Sequence, residues 1–252
     1  MIHVIKIGGG ILENEASREM FLQQFAAVEG AKILVHGGGR LATTMAERLG
    51  VAQQMIDGRR VTDKDTLDIV TMVYGGLVNK QLVVSLQAMG VNAIGLTGAD
   101  GGWMKAVKRP MKNGIDYGYV GDVTEVHGDN LRMLLDKGMT PVVAPITFCQ
   151  EGVLLNTNAD TIASETAISL APEVQLTFCF EKAGVLRDAN DESSLISRIT
   201  RESYKQLLKE GVVSGGMIPK IDNAFAALQQ GVQSVRITHA SNLQGGTIIE
   251  EV

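Results

Sequence analysis

Short apolar runs alternate with amphipathic stretches along almost the whole chain. Runs rich in Val, Ile and Leu predict β-strands at residues 2–7, 32–36, 91–95, 140–144, 175–180 and 234–238. Stretches with helical spacing of apolar positions predict helices at 15–29, 40–49, 65–89, 129–137, 160–171, 200–210 and 218–230. Because strands alternate with helices, we expect right-handed crossovers. The pattern therefore predicts an α/β fold with a mostly parallel sheet and helices on both of its faces.

Residues 101–128 depart from this rhythm. Residues 103–107 and 117–126 alternate in polarity, and the turn-rich stretch 110–116 separates them, so we expect a β-hairpin. The hairpin carries a cluster of cations that could form a basic patch, although such a cluster is more often a solvated loop: Lys105, Lys108, Arg109 and Lys112.

Composition narrows the possible functions and compartments. The 252 residues are 45% hydrophobic but only 4% aromatic, which suits the aliphatic core of a parallel sheet. A net charge of −5 argues against nucleic acid as a general partner. Cys149 and Cys179 lack C-x-x-C spacing and are interpreted as buried thiols in a reducing compartment. We see no signal peptide and no apolar run near the ~18 residues of a membrane span, so we expect a soluble, cytoplasmic protein.

The first candidate for a functional site is a lysine inside an apolar strand. Lys6 interrupts the run from Val4 to Ile7, and Gly8, Gly9 and Gly10 follow directly. A buried ammonium group requires a partner, and glycines at a strand end leave backbone N–H groups open to a ligand. The segment predicts an anion site, with phosphate as the best fit. A lysine that reaches solvent beside an ordinary turn would give the same local pattern.

A second strand–glycine–helix junction follows at residues 35–40. Gly37, Gly38 and Gly39 come after His36, which is interpreted as a structural residue. If both strands lie in one parallel sheet, the two glycine loops open at the same edge and can grip one polyphosphate. The chain contains no Gly-Lys dipeptide, no G-x-G-x-x-G and no G-x-S-x-G, so P-loop, dinucleotide-binding and α/β-hydrolase signatures are missing.

Residues 58–63 place two arginines in a predicted loop before a helix. Thr62 or Asp63 is positioned to cap that helix, and a fixed Arg60 would suit bidentate binding of a carboxylate. The alternative is a solvent-exposed pair formed by Arg59 and Arg60.

Two further helix starts carry polar groups. Residues 156–160 place Asn156 and Asp160 after a short strand, and the simplest interpretation of Asp160 is a helix N-cap. The same groups can also bind a carboxylate or an ammonium group. At the second helix start, Gly216 precedes a helix whose first turn contains Lys220. The helix dipole disfavours a lysine there unless an anion binds at the same point.

These ordered motifs together resemble the amino acid kinase family over nearly the whole chain. They are Lys6-Ile-Gly-Gly-Gly, His36-Gly-Gly-Gly, Gly58-Arg-Arg-Val-Thr-Asp, Asn156-Thr-Asn-Ala-Asp160 and Gly216-Met-Ile-Pro-Lys220. The resemblance implies a single domain built as a three-layer sandwich around a mostly parallel sheet. An N-terminal lobe at about 1–149 would bind an acyl amino acid and form a homodimer, and a C-terminal lobe at about 150–252 would bind ATP.

The resemblance also implies an activity, namely ATP-dependent phosphorylation of the γ-carboxylate of N-acetyl-L-glutamate in arginine biosynthesis. Lys6 and Lys220 would neutralise charge on the transferred phosphoryl group, Asp160 would orient both lysines, and Mg²⁺ would bridge the ATP phosphates. The remaining site residues are implied as phosphate or ATP ligands at Gly8, Gly9, Gly38 and Gly216, and as substrate ligands at Gly38, Gly39, Arg60 and Asn156. No residue is assigned to a metal. The nucleophile is already ionised at neutral pH and needs no general base.

Several alternatives stay open from sequence. N-succinyl-L-glutamate or an aminoadipate derivative would use the same transfer residues, and an anionic succinyl group would want a further cation, for which Arg59 or Lys105 could serve. A non-catalytic nucleotide or amino-acid sensor should have lost a lysine or the aspartate.

Glu181-Lys182 departs from the family pattern and leaves the adenine and ribose contacts unassigned. The chain begins at its first strand, which is typical of members that arginine does not inhibit. The apolar helix at 65–89 would suit either a dimer interface or the core.

Overall fold

The computed structural model of the chain describes residues 1–56, 58–111, 113–188 and 190–251, so Lys112 of the predicted cation cluster lies outside it. The chain forms two compact units. The first comprises Met1–Lys32 and Ala163–Val252, and the second comprises Ile33–Ile162. The expected boundary near residue 150 differs from this division, because the first strand and its glycine turn belong with the C-terminal residues. The roles assigned to two lobes remain predictions.

The described residues contain fourteen strands. They are β1 Ile2–Ile7, β2 Ala31–His36, β3 Gln54–Ile56, β4 Arg59–Val61, β5 Ala93–Leu96, β6 Met104–Lys108, β7 Gly121–Val126, β8 Thr140–Val143, β9 Ile146–Phe148, β10 Leu154–Asn156, β11 Val174–Phe180, β12 Arg198–Ile199, β13 Ser234–His239 and β14 Thr247–Ile249.

Nine α-helices are found in the same part of the chain. They are α1 Gly9–Glu13, α2 Glu15–Ala27, α3 Gly39–Arg48, α4 Lys64–Val70, α5 Asn79–Ala88, α6 Gly128–Asp136, α7 Ala159–Leu170, α8 Arg201–Lys209 and α9 Ile218–Gln229. A π-helical stretch, Thr71–Val78, joins α4 to α5. The predicted strands and helices are all confirmed within a few residues, and the predicted hairpin is β6 paired antiparallel with β7.

Within the first unit, strands lie in the order β12-β14-β13-β11-β1. The pairs β1–β11, β11–β13 and β12–β14 are parallel, and β13–β14 is antiparallel. Lys6 lies opposite Phe178 in this register. Because parallel strands end at one edge, the carboxyl ends of β1 and β11 meet at Ile7 and Cys179, beside Gly8.

Within the second unit, β2, β8 and β5 pair in parallel in that order. A separate four-stranded sheet has the order β10-β9-β6-β7, and β3 with β4 forms a two-stranded ribbon. Strands β2 and β8 are buried at every position except Ala31. Their apolar core residues are aliphatic: Ile33, Leu34, Val35, Val142 and Val143. This agrees with the low aromatic content.

The helical stretch Lys64–Ala88 is long and apolar enough to cross a membrane by length and composition. The expectation that no apolar run approaches that length is therefore wrong, although 44% of its most apolar window is buried inside the protein and a core helix passes the same test. Leu67, Val70 and Val73 point into the core, whereas Met72 and Val84 are 56% and 64% exposed.

Candidate active site

The two lysines implicated in phosphoryl transfer lie over the same aromatic ring. The Lys220 Nζ is 3.6 Å from the centroid of the Phe180 ring, and the Lys6 Nζ is 5.6 Å from it. Phe180 ends β11, Lys6 lies near the end of β1, and Lys220 lies in the first turn of α9. The first unit thus gathers two cations around the Phe180 ring, whose quadrupole attracts both.

The glycines beside these lysines lie in two turns that lead into helices. Gly8 precedes α1, and a Cβ added to it would lie 3.7 Å from the carbonyl oxygen of Cys179, which is ordinary contact. Gly216 lies in a single 3₁₀ turn, Gly215–Met217, that leads into α9. Gly215 adopts φ +54°, a left-handed conformation that favours glycine. Both turns leave backbone amides at helix starts next to a lysine.

Asp160 is not the N-cap of its helix, so the simplest sequence interpretation is wrong. Asn158 caps α7, because its Oδ1 accepts hydrogen bonds from the backbone N–H groups of Asp160 at 2.8 Å and Thr161 at 3.2 Å. An asparagine cap satisfies the helix start. The Asp160 carboxylate is therefore placed in the first turn of α7 without being needed there as a cap.

A cavity of about 210 Å³ in the second unit brings the predicted substrate residues together. Gly38, Gly39, Arg60 and Asn156 all line it. Three of its described lining residues are arginines, and none of them is acidic: the walls also include Gly37, Met55, Gly58, Arg59, Tyr74, Arg109, Val120, Pro145, Thr157, Asn158 and Ala159. Such a cavity favours an anionic ligand.

Arg60 is held rigidly at the cavity wall, and the expectation that it lies in a loop is wrong. It is the middle residue of β4, and it is only 7% exposed. Its Nη2 donates to the Gly39 carbonyl at 2.7 Å and to Thr43 Oγ1 at 2.9 Å, and its Nη1 donates to Gln53 Oε1. The β3–β4 ribbon and α3 therefore fix the guanidinium before any ligand arrives, which reduces the ordering cost of binding.

Tyr74 completes the wall beside Arg60, although sequence analysis did not single it out. Burial raises the pKa of its phenol, and the nearby Arg60 partly opposes that shift. A Cβ added to Gly38 would lie 2.9 Å from Tyr74 Cδ1. Gly38 is required because the ring approaches its backbone this closely.

Asn156 ends β10 and lines the cavity, and its side-chain amide donates to Thr62 Oγ1 at 3.0 Å. Thr62 precedes Asp63, whose carboxylate accepts from the Thr66 N–H at 2.8 Å and caps α4, as one of the two predicted caps. This hydrogen bond holds the Asp63 pKa below its usual value.

His36 is structural, as predicted. Its Nδ1 is 2.8 Å from the Gly37 carbonyl and its Nε2 is 3.1 Å from Asn79 Nδ2. Nδ1–H must donate to the carbonyl, so Nε2 must accept from the amide, which requires the neutral imidazole. Complete burial lowers the pKa of His36 to about 4. The ring therefore orders the turn before Gly38 and is unsuited to proton transfer at neutral pH.

Arg109 is a cavity residue that sequence analysis assigned to a solvated loop. Its Nε and Nη2 bind Asp122 at 3.0 and 2.6 Å, and its guanidinium carbon lies 5.6 Å from the Tyr117 ring centroid. Lys105 and Lys108 of the same cluster pair with Glu125 and Asp116 at the surface, as predicted. The only sequence signal for this was the alternation of polar and apolar residues in β6. Because Arg109 directly follows that strand, its side chain could be expected to differ in environment from those of the other cations.

Comparison with known proteins agrees with this geometry. The sequence profile of the Amino acid kinase family matches residues 1–239. A Phocaeicola vulgatus protein named acetylglutamate kinase is 54% identical over 252 residues, covering 98% of each chain. A Bacteroides thetaiotaomicron protein of the same name is 55% identical over 243 residues, covering 96% of this chain and 94% of that protein.

A crystal structure of smu.665 from Streptococcus mutans UA159 has a similar fold. It superposes with a TM-score of 0.81 at 30% identity and covers 99% of this chain and 98% of that one. The family profile and these relatives agree with the ordered motifs of the sequence and with the geometry of the site. The chain therefore belongs to the amino acid kinase family.

Proposed function

We propose that this enzyme transfers the γ-phosphoryl group of ATP to the γ-carboxylate of N-acetyl-L-glutamate and forms the acyl phosphate, in arginine biosynthesis. The observation that carries the proposal is that the structure has two separate clusters of positive charge. The arginine-lined cavity of the second unit suits an anionic acyl amino acid, and the two lysines over Phe180 in the first unit suit a phosphoryl group.

The substrate would be held by its α-carboxylate. Arg60 presents a fixed positive charge at the cavity wall, where its Nη2 already donates to the Gly39 carbonyl and to Thr43 Oγ1, and Asn156 adds an amide. The fixed charge would attract the carboxylate, and the remaining guanidinium hydrogens would orient it. The backbone N–H groups near Gly38 and Gly39 would donate to the transferred phosphoryl group or to the reacting carboxylate.

The transfer step needs charge neutralisation rather than a proton acceptor. A γ-carboxylate has a pKa near ~4.3 and is an ionised nucleophile at neutral pH. Its attack brings two anions together, so the lysine ammonium groups and aimed N–H groups supply the main stabilisation. We assign this role to Lys6, Lys220 and the turns at Gly8, Gly9 and Gly216, with Asp160 as the residue that orients both lysines.

Magnesium would enter with ATP as part of the substrate. The described residues contain no group of three or more His, Cys, Asp and Glu side chains that could form a metal site. Mg²⁺ characteristically keeps several waters and binds nucleotide phosphates with few protein ligands, so the proposed MgATP complex fits a lysine-based site.

A homodimer in the cytoplasm is part of the same proposal. The stretch Lys64–Ala88 presents apolar side chains to the surface at Met72, Leu77 and Val84, which are 56%, 38% and 64% exposed. Burying such a stripe between two copies would remove apolar area from water. Sedimentation of the purified chain at micromolar concentration should give twice its 26.9 kDa mass, and a single-chain mass would refute the dimer.

The activity itself is tested by trapping the product with hydroxylamine. With MgATP, N-acetyl-L-glutamate should yield a hydroxamate and stoichiometric ADP, whereas unacylated L-glutamate should yield far less of both. ADP without hydroxamate would show hydrolysis rather than transfer to a carboxylate. Absence of both products would refute the proposed function.

A further inference from the structure

We propose that His239 is a nucleotide-binding residue, whose Nε2–H group donates a hydrogen bond to the nucleoside end of ATP, at the α-phosphate or at the ribose. The inference rests on the proposed function and deepens it, because it assigns a protein group to a part of ATP that the sequence motifs leave without one. Glu181 and Lys182, which directly follow Phe180, depart from the family pattern there.

The first support is the position of His239 in the sheet of the first unit. It is the last residue of β13 and lies opposite Phe180, the last residue of β11, and the Ala240 N–H donates to the Phe180 carbonyl at 3.2 Å. Residues paired on neighbouring strands present their side chains to the same face of a sheet, and the strands lie about 4.8 Å apart. His239 and Phe180 are therefore neighbours at the carboxyl edge, where open α/β sheets bind ligands.

The second support is that α9 brings Lys220 to the same edge. The helix ends at Gln229, β13 begins at Ser234, and the two elements pack against each other. A helix that leads through a short turn into a strand packed against it runs opposite to that strand, so the first turn of α9 lies at the carboxyl end of β13. Lys220 is in that turn and contacts the Phe180 ring at 3.6 Å.

The third support is the hydrogen bonding of the His239 ring. Its Nδ1 accepts from the Ser241 backbone N–H at 3.1 Å and is 2.6 Å from Ser241 Oγ. Because a backbone N–H can only donate, Nδ1 is the acceptor, and the hydrogen of the neutral ring is on Nε2. Among the residues that the structure describes, none hydrogen-bonds to Nε2, and the side chain is partly exposed. The ring thus offers a directed donor to a ligand.

The fourth support is that the loop after β13 is anchored to α2. Gln24 donates through Nε2 to the Ser241 carbonyl, and its Oε1 accepts from the Leu243 N–H at 3.0 Å. Since Ser241 in turn holds the His239 ring, the direction of Nε2–H is set before a ligand arrives. A donor that is already oriented loses little conformational freedom on binding.

The strand order shows which part of ATP would reach His239. In the order β13-β11-β1, His239 and Lys6 lie on opposite sides of β11, and the Lys6 Nζ is 5.6 Å from the Phe180 ring centroid. Lys6 and Lys220 are assigned to the transferred phosphoryl group. A triphosphate that runs along this edge from Lys6 over Phe180 would therefore bring its nucleoside end to His239.

The test uses two substitutions that each keep one nitrogen of the ring. In His239→Asn the side-chain oxygen can still accept from Ser241, but no donor remains at the position of Nε2. In His239→Gln the longer amide places an N–H donor there and loses the Ser241 acceptor. We expect His239→Asn to weaken ADP binding, measured by calorimetry, by about tenfold, the scale of one hydrogen bond to a charged group, and His239→Gln to retain most of the affinity.

The steady-state constants should follow the same order. His239→Asn should raise KM for MgATP with little change in kcat or in KM for N-acetyl-L-glutamate. A purely structural role would give the opposite ranking, with His239→Gln the more damaging substitution. His127→Asn, at an exposed histidine 2.9 Å from Glu125, is the matched control and should leave ADP binding unchanged.

Two ligand-side measurements complete the test. Inorganic tripolyphosphate distinguishes the two acceptors: weaker binding by His239→Asn assigns the hydrogen bond to a phosphate oxygen, and unaltered binding beside weaker ADP binding assigns it to the ribose. In the unmodified protein, ADP should protect His239 but not His127 from carbethoxylation by diethyl pyrocarbonate, read by mass spectrometry of the peptides. This second measurement does not depend on the folding of any variant.

The outcomes separate this inference from the proposed function. Equal ADP affinity in His239→Asn and the unmodified protein, or carbethoxylation of His239 that ADP does not slow, would overturn the role of His239 and leave the proposed function intact. Weaker ADP binding by His239→Asn without hydroxamate formation from N-acetyl-L-glutamate would support this role and overturn the proposed substrate. No ADP binding by the unmodified protein would overturn both.

Discussion

Replacing Gly38 by alanine tests the close packing that shapes the substrate cavity. The added Cβ would lie 2.9 Å from Tyr74 Cδ1, 3.1 Å from Tyr74 Cε1 and 3.5 Å from Val78 Cγ2. Tyr74 and Val78 are each only 5% exposed, so the ring cannot swing into solvent. It must move within the core, towards the guanidinium of Arg60.

The expected cost follows from overpacking a buried site, which is typically about 1–3 kcal/mol. For a chain of this length, each 1 kcal/mol corresponds to roughly 2–4 °C in Tm. The neighbouring substitution, Gly39→Ala, is the matched control. Its Cβ would lie 3.8 Å from Arg60 Nη2 and 3.9 Å from the Tyr74 hydroxyl, which is ordinary contact. Since Gly39 begins α3, alanine there should be neutral or stabilising by up to about 1 kcal/mol.

Urea denaturation of both variants, followed by far-UV circular dichroism, measures the difference in unfolding free energy. We expect Gly38→Ala to be the less stable of the two by at least about 1 kcal/mol, and to bind the acyl amino acid more weakly because Tyr74 and Arg60 shift. Equal stability of the two alanine variants would refute the argument that the Tyr74 ring excludes a side chain at position 38.

Three further predictions concern His36, Cys179 and Asn158. His36 has a folded-state pKa of about 4 against about 6.5 when unfolded. The neutral ring should therefore contribute up to about 3 kcal/mol to the free energy of unfolding above pH 6.5, and this contribution should be lost as the pH falls towards 4. A His36→Gln variant that loses as much stability over that pH range would contradict this. Burial raises the pKa of Cys179 to about 12, so the native thiol should resist a thiol-labelling reagent at pH 8 and react once the chain is unfolded; rapid native labelling would show that the site beside Lys6 opens. Asn158→Ala removes the cap of α7 and should destabilise the protein by about 1 kcal/mol, measured by thermal unfolding; no change would show that another group caps the helix.

The order of strands and helices could be predicted from sequence because aliphatic runs and helical periodicity are properties of local segments. The strand at β1 was predicted to the residue. The short strands β3 and β4 were missed because three-residue strands containing Gln54, Arg59 and Arg60 are too short and too polar to show a pattern. The ribbon is nevertheless what fixes Arg60.

Site residues could be predicted where a motif joins several residue types at fixed spacing. They could not be predicted where tertiary contacts determine which side chains meet. Lys6 and Lys220 are 214 positions apart, and their shared contact with Phe180 depends on strand order, which no local pattern encodes. The N-cap of α7 was misassigned because Asn158 and Asp160 are both good caps. Arg109 was misassigned because a charged residue in a loop looks the same in sequence whether or not it faces a cavity.

The central claim is that Lys220 acts in phosphoryl transfer, whereas Arg60 acts in binding the acyl amino acid. The most direct measurement is a pair of steady-state analyses with MgATP and N-acetyl-L-glutamate, on Lys220→Ala and on Arg60→Lys. Lys220→Ala should lower kcat by about 10²-fold or more with little change in KM for N-acetyl-L-glutamate. Arg60→Lys, which keeps the charge and loses the planar fork, should raise that KM by about tenfold with a smaller change in kcat. Near-normal kcat in Lys220→Ala, or an unchanged KM in Arg60→Lys, would contradict this division of roles.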